Sequence, residues 1–198
     1  ARLMLKVADK YAGNNNFEYD LVDIVRQSLS DRGRIVYNRA VADFKSFDKK
    51  AFAIDSQEFL RLLLLQDKLL ATRSEFRVGT WIEKARNLGN TVEEKNLYEW
   101  NARTQITTWG NRYSADTGGL RDYAHKEWNG ILKDFYYKRW EAYWKTLTDV
   151  LNGQPMVTLD YYGMEEPWTK ATNAYSSQPE GNPIEVAHEV FDKAFSHQ

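Results

Sequence analysis

The chain has 198 residues, with 27 basic and 28 acidic side chains and a net charge of −1, long enough for one domain with a sizeable core. The balanced charge and the lack of a basic stripe exclude the electrostatic footprint of a nucleic-acid binder, and no apolar run approaches the roughly 20 residues that span a bilayer. Cysteine is absent, which excludes disulfides, thiolate metal sites and a cysteine nucleophile.

Residues 1–12 read as a short helix with Leu3, Val7 and Tyr11 along one side. It starts without an N-cap, as a chain cut inside or just before a helix would, and its mixture of charged and apolar residues is not that of a signal peptide. Gly13-Asn14-Asn15-Asn16 is a turn or linker. From Tyr19 a long helix is expected, carrying Leu21, Ile24, Val25, Ser28, Leu29, Val36, Ala40 and Phe44 at helical spacing, with Gly33 a weak point. Ser46 to Asp55 reads as loop, and Ser56 as the N-cap of a helix over Gln57–Thr72. Its leucines run nearly all round, so this helix is expected at the centre of the domain. Asp67 sits among them; a buried carboxylate needs a basic or hydrogen-bonding partner, so a structural contact is the first reading and a ligand role the second.

Val78–Leu88 is a further short helix, stopped by Gly89-Asn90. Thr91-Val-Glu-Glu94 carries the capping-box signature and opens a helix that runs to Trp109-Gly110. Asn111–Gly119 is loop. A helix from Leu120 is expected to continue to Leu151, with a bend at Phe135-Tyr136-Tyr137 and a stop at Gly153-Gln154-Pro155. Leu159–Tyr175 reads as helix interrupted at Pro167, Ser176–Pro183 as loop, and Ile184–Phe195 as the last helix. Strand alternation is scarce, so the class is all-α: one multi-helix bundle of about seven helices over residues 1–198.

Within Leu97–Trp140, aromatics crowd toward the central loop and polar residues mix with apolar ones. The stretch is either the packed centre of the domain or the rim of a ligand pocket. The 7 Trp and 12 Tyr leave the same choice open, because large aromatics supply core area and also stack on sugar rings. No phosphate loop follows Gly118-Gly119 and no serine sits in a nucleophile elbow. His125, His188 and His197 are too far apart for a zinc motif, so no metal or cofactor is expected. The candidate carboxylates for a glycosidase pair are Asp116, Asp122 and Glu127 near the loop, with Glu165 and Glu166 remote in sequence. Ordinary roles account for them: Asp122 in the first turn of a helix, Glu127 on a solvated face.

Leu97-Tyr-Glu-x-Asn101-x-Arg103-x-Gln105-Ile-Thr107-x-Trp109-Gly110 resembles the C-terminal helical domain of the α-N-acetylglucosaminidases. Asp122-Tyr123-Ala124-x-Lys126, Trp128-x-Gly130, Tyr136-x-x-Arg139-Trp140, Tyr19–Gln27, Gly79-x-Trp81 and Ser177-Gln178-Pro179 continue the likeness over nearly the whole chain. The family often has proline where this chain has Lys138, and the loop Asn111–Gly119 looks longer here than in the animal enzymes.

The resemblance implies a piece of a larger, barrel-containing exo-glycosidase that removes terminal α-linked N-acetylglucosamine from glycans. The two catalytic glutamates would lie in a preceding (β/α)8 domain of the same polypeptide, leaving no catalytic residue here and the chain inactive alone. Trp109 and Tyr123, with Leu120 beside them, would face the sugar. Asn101, Arg103, Gln105 and Arg139 would hold the loop and helix ends by hydrogen bonds. The family is lysosomal, periplasmic or secreted. A free-standing carbohydrate-binding module and a helical interaction domain are the alternatives.

Overall fold

The computed structural model describes residues 1–196. Among them the fold is all-helical, with eight α-helices: α1 (Arg2–Leu5), α2 (Asn15–Lys45), α3 (Lys49–Leu70), α4 (Val78–Arg86), α5 (Val92–Gln105), α6 (Tyr137–Leu151), α7 (Tyr161–Lys170) and α8 (Pro183–Phe195). α2 and α3, joined by three residues, pack against each other; α8 covers both, and α6 lies on α3. α4, α5 and α7 form a second group beside this bundle.

The long helices follow the apolar period. Leu21, Val25, Leu29 and Val36 of α2 meet Leu62, Leu69 and Leu70 of α3 in a core completed by Trp144 and Leu147 of α6 and Val190 of α8. An aromatic cluster fills the end between α2, α3 and α6: Trp140 lies 4.7 Å from Phe59 and 5.7 Å from Tyr37, ring centre to ring centre. The Thr91 capping box forms as expected, with Glu94 N donating to Thr91 Oγ1 at 3.2 Å. α2 passes through Gly33 without a break.

Besides shifted helix ends (α2 starts at Asn15 and α5 stops at Gln105), the structure departs from the sequence reading at four places. The first helix is only α1, followed by a 3-10 turn over Ala8–Tyr11; Leu5 and Ala8 are buried, whereas Leu3 and Tyr11 are exposed. α3 starts a full two turns before Ser56, because Asp48 caps it by accepting from Ala51 N at 3.0 Å. That extension buries Phe52 and lets Asp55 accept from Nη2 and Nε of Arg39, at 2.6 and 2.8 Å.

Third, no helix starts at Leu120. Asp122 and Gly130 have φ of +61° and +90°, outside any right-handed helix, and the amides bond outward. Asp122 N donates to Thr107 O at 2.9 Å and Asn129 N to Phe76 O at 2.8 Å. Helical geometry begins near Ile131, as a π-helical turn over Leu132–Tyr136 that runs into α6. Fourth, the helix expected to be interrupted at Pro167 contains that residue without a break, α7 ends at Lys170, and residues 171–182 return over α4 so closely that a Cβ on Gly79 would stand 2.2 Å from Ser176 O.

Asp67 fixes where the irregular segment ends. It is 7% exposed, and its carboxylate accepts from Gly130 N at 2.7 Å, Lys133 N at 3.2 Å and Asn129 Nδ2 at 2.9 Å. Burial holds the Asp67 carboxyl above its ordinary pKa, with the Gly130, Lys133 and Asn129 donors pulling the other way. The expected partner is therefore a helix start and not a base. Asp67→Ala, which strands two backbone donors, is expected to lower the unfolding free energy by about 2–3 kcal/mol. Urea denaturation checks this; an unchanged midpoint would remove Asp67 from the capping role.

Candidate functional site

α5 ends in a tight reversal. Trp109 N donates to Thr104 O at 2.8 Å, and Trp109 adopts φ +65°. A non-glycine residue pays roughly 1–2 kcal/mol for that conformation, so the surrounding structure must impose it. The chain then makes a π-helical turn over Tyr113–Thr117, and Leu120 N returns to Ser114 O at 3.1 Å. The Asp122 N to Thr107 O bond closes the loop onto the end of α5.

This closure brings Trp109 and Tyr123 together. Their ring centres are 4.9 Å apart at 59°, and the residues are 37% and 73% exposed. Leu120 lies half-buried in the same loop. The pair is therefore on the surface, not in the core.

Beneath the loop is a charge network. The Asp122 carboxylate accepts from both terminal nitrogens of Arg139 and from the Tyr136 hydroxyl at 3.1 Å. Arg139 also pairs with Glu165 of α7, at 2.5 Å from Nε to Oε1. Arg121 bridges Glu165 and Asp116. On the outside, Arg112 holds Asp160 at 2.6 Å, and this keeps the Asp160 carboxyl depressed to about 2. Burial pushes the Glu165 carboxyl up against the opposing pull of Arg139 and Arg121. Burial, with Asp122 adding to it, also pushes the Tyr136 hydroxyl up.

The four residues expected to support the loop divide. Arg139 is in the network just described. Arg103 is fully buried in α5: Nε donates to Glu99 at 2.9 Å and Nη2 to Asn173 O at 2.8 Å, and its guanidinium lies 4.9 Å from the Trp168 ring centre. It ties α5 to α7 and the 171–182 return, not to the loop. Asn101 and Gln105 are exposed, and their side chains make no hydrogen bond among the described residues; both sit on the α5 face turned away from the buried Glu99, Ala102 and Arg103.

Two residues read as ordinary carboxylates have larger structural roles. Asp122 is not in a helical first turn. Glu127 is half-buried and held: it takes Arg26, Ser30 at 3.3 Å and Gln66 at 2.9 Å, and joins the segment to α2 and α3. Arg121, Glu165 and Asp116 complete the set that sequence spacing did not connect. Asp116 and Glu165 lie far apart in sequence and meet only through the guanidinium of Arg121. The signal available was Gly118-Gly119 before the run and Gly130 within it, both poor helix formers. Among the described residues no three His, Asp or Glu side chains form a metal site, and no helix is long and apolar enough to cross a membrane. His197 lies outside the described residues.

Residues 1–193 match the family model described as the α-N-acetylglucosaminidase (NAGLU) C-terminal domain. Human α-N-acetylglucosaminidase is 30% identical over 203 residues, covering 98% of this chain and 26% of the human protein. A Clostridium perfringens family 89 glycoside hydrolase, solved as a double Glu→Gln variant with its substrate GlcNAc-α-1,4-galactose, aligns with a TM-score of 0.91 and 33% identity. The alignment covers 96% of this chain and 22% of that one. A structure of a Clostridium perfringens family 89 glycoside hydrolase with PUGNAc gives the same values. The chain thus spans about a quarter of the length of the curated relative it matches.

The network sets a clear stability expectation. Arg139, whose side chain is 15% exposed, balances Asp122 and the 3%-exposed Glu165. Arg139→Ala leaves both carboxylates short of a partner and is expected to cost about 3–5 kcal/mol. Chemical denaturation of the variant measures it, and a loss below 1 kcal/mol would mean that the network is not holding the loop.

Proposed function

This chain belongs to the α-N-acetylglucosaminidase C-terminal domain family, and from that premise we propose that it forms one wall of the sugar pocket of an exo-α-N-acetylglucosaminidase. Its partner is the (β/α)8 catalytic domain of the same polypeptide, and its ligand is the terminal α-linked N-acetylglucosamine of a glycan. The observation that carries this reading is the exposed Trp109–Tyr123 pair on a loop braced from below. In this role the tryptophan face stacks on sugar C–H groups, the tyrosine hydroxyl orients a ring hydroxyl, and Leu120 fills the space beside them. Arg139 supports the loop directly and Arg103 supports it through the packing of α5 on α7, whereas the exposed Asn101 and Gln105 have no such contact among the described residues.

The carboxylates around the pair support an accessory role. Asp116, Asp122 and Glu165 are each paired with Arg121 or Arg139, and Glu127 is held by Arg26, Ser30 and Gln66. A general acid needs a raised pKa together with access to the leaving group. Glu165 has the first, but at 2% exposure it lacks the second. Catalytic acids are therefore assigned to the other domain, and the chain alone is inactive. The comparison proteins agree with the sugar: one is named for α-N-acetylglucosaminidase activity, and another was solved with GlcNAc-α-1,4-galactose.

In the full-length enzyme, Trp109→Ala is expected to lower kcat/KM on a chromogenic α-N-acetylglucosaminide by about 10–100-fold and Tyr123→Phe by about tenfold. Unchanged kcat/KM in both variants, with the fold intact, would overturn the pocket assignment. Turnover by the 198-residue chain alone would overturn the accessory role.

A further inference from the structure

Gly33 is the starting point. It lies in the middle of the 31-residue helix α2, where glycine costs roughly 0.5–1 kcal/mol relative to alanine. Neither usual reason for a helical glycine applies. Its φ is not positive. Nor does close packing require it, since a Cβ there would meet only Phe59 Cε2, at an ordinary 3.9 Å. Gly33 is buried all the same, and it lines a cavity of about 290 Å³ between α2, α3, α6 and the 120–130 segment. A side chain there would take up part of that volume.

The cavity has two kinds of wall. Leu29, Phe59, Leu62 and Trp140 give an apolar surface from three helices. Asp122, His125 and Glu127 come from the segment that also carries Tyr123, and Arg34 joins them from α2. Arg34 and His125 are exposed and make no ion pair or side-chain hydrogen bond among the described residues. Donors are therefore available beside two carboxylates that accept. An anionic ligand would meet Asp122 and Glu127, and a cationic one Arg34 and Arg139. A neutral ring with hydroxyls on its edge and C–H groups on its face suits both walls. The volume lies at the lower end for a small-molecule site, suited to a single ring.

We propose that this cavity is a second saccharide site, which takes a neutral pyranose unit of the same glycan whose terminal residue meets Trp109 and Tyr123. The choice of a sugar rests on the function proposed above; the existence of the site rests on Gly33 and the cavity walls. Tyr123 and the cavity residues Asp122, His125 and Glu127 lie within six residues of chain, so both sites are built on one short segment.

The test is an NMR titration of the isotope-labelled 198-residue chain with GlcNAc-α-1,4-galactose. Saturable shifts are expected at the Gly33 amide and the Gln66 side-chain amide, and they should persist in Trp109→Ala. Gly33→Ala, whose new methyl group has room, is expected to raise the thermal midpoint and weaken binding about tenfold. Three results overturn the proposal: no saturable shift at these groups, unchanged affinity in Gly33→Ala, or a lowered midpoint showing that packing required the glycine. Shifts confined to Trp109 and Tyr123 also reject it, while leaving the proposed function in place. If the cavity binds sugar but kcat/KM survives in the Trp109→Ala and Tyr123→Phe enzymes, the pocket assignment fails and the second site stands.

Discussion

A guanidinium between two carboxylates holds this domain's irregular side in place. Arg139 reaches from α6 to Asp122 in the loop and to Glu165 in α7. Taking such charges out of water costs several kcal/mol for each ion, and attraction offsets the cost only when the geometry is good. The effect of the contact is therefore largely to select one arrangement of the loop. Other placements of residues 107–123 would take Asp122 from Arg139 and Arg121 from Glu165, leaving a largely buried pair with fewer partners, which is the more expensive state. Asp67 acts in the same way at the far end of the segment, where two backbone donors and an amide converge on one carboxylate. Between these two anchors, a stretch with no regular secondary structure holds a definite path.

The sequence made the bundle legible because its signals are local and agree with one another. The apolar period of α2, the capping box at Thr91 and the glycine stop at Gly153 each fall where the structure has them. Leu120, Ala124, Trp128 and Ile131 keep the same period yet are not helical until Ile131. Only Ile131 of the four is buried and the others are half-buried, so an irregular segment lying on a bundle can share a helical period without being a helix. Gly130 was the contrary evidence, since its φ of +90° serves a turn and its backbone approaches Val78 and Tyr175. Ser56 shows a different failure. Both Asp48 and Ser56 are competent caps, and tertiary contacts through Phe52 and Asp55 decided for the earlier one. The Arg121–Glu165–Arg139 network was invisible for a third reason, namely that its members come together only after α6 and α7 pack.

The candidate site was partly legible, and the reason lies in the aromatics. A tryptophan at helical spacing reads as core, and residue identity alone cannot say otherwise. Trp109 leaves the core because the reversal after α5 puts it at φ +65°. Single exposed apolar residues such as Leu88 and Phe47 are ordinary on a protein surface. The Trp109–Tyr123 pair differs because the loop carrying it is braced by a largely buried charge network; the φ of +65° at Trp109 alone does not set it apart, since exposed Phe47 has φ +60°. Strain held in place by surrounding structure is a feature of functional sites.

The segment after Tyr123 connects the two proposed sites. Tyr123 projects from it as an exposed ring, while Asp122, His125 and Glu127 line the cavity toward α2 and α3. Glu127 ties it to Arg26, Ser30 and Gln66, and Asp122 ties it to Arg139. A segment held at both ends favours preorganisation over switching: ligand binding need not supply the free energy to order it. The same argument accounts for a costly ion-pair network beneath a surface loop. Placing Tyr123 requires that the backbone beside it not move, and the charges that line one site are the anchors that position the other.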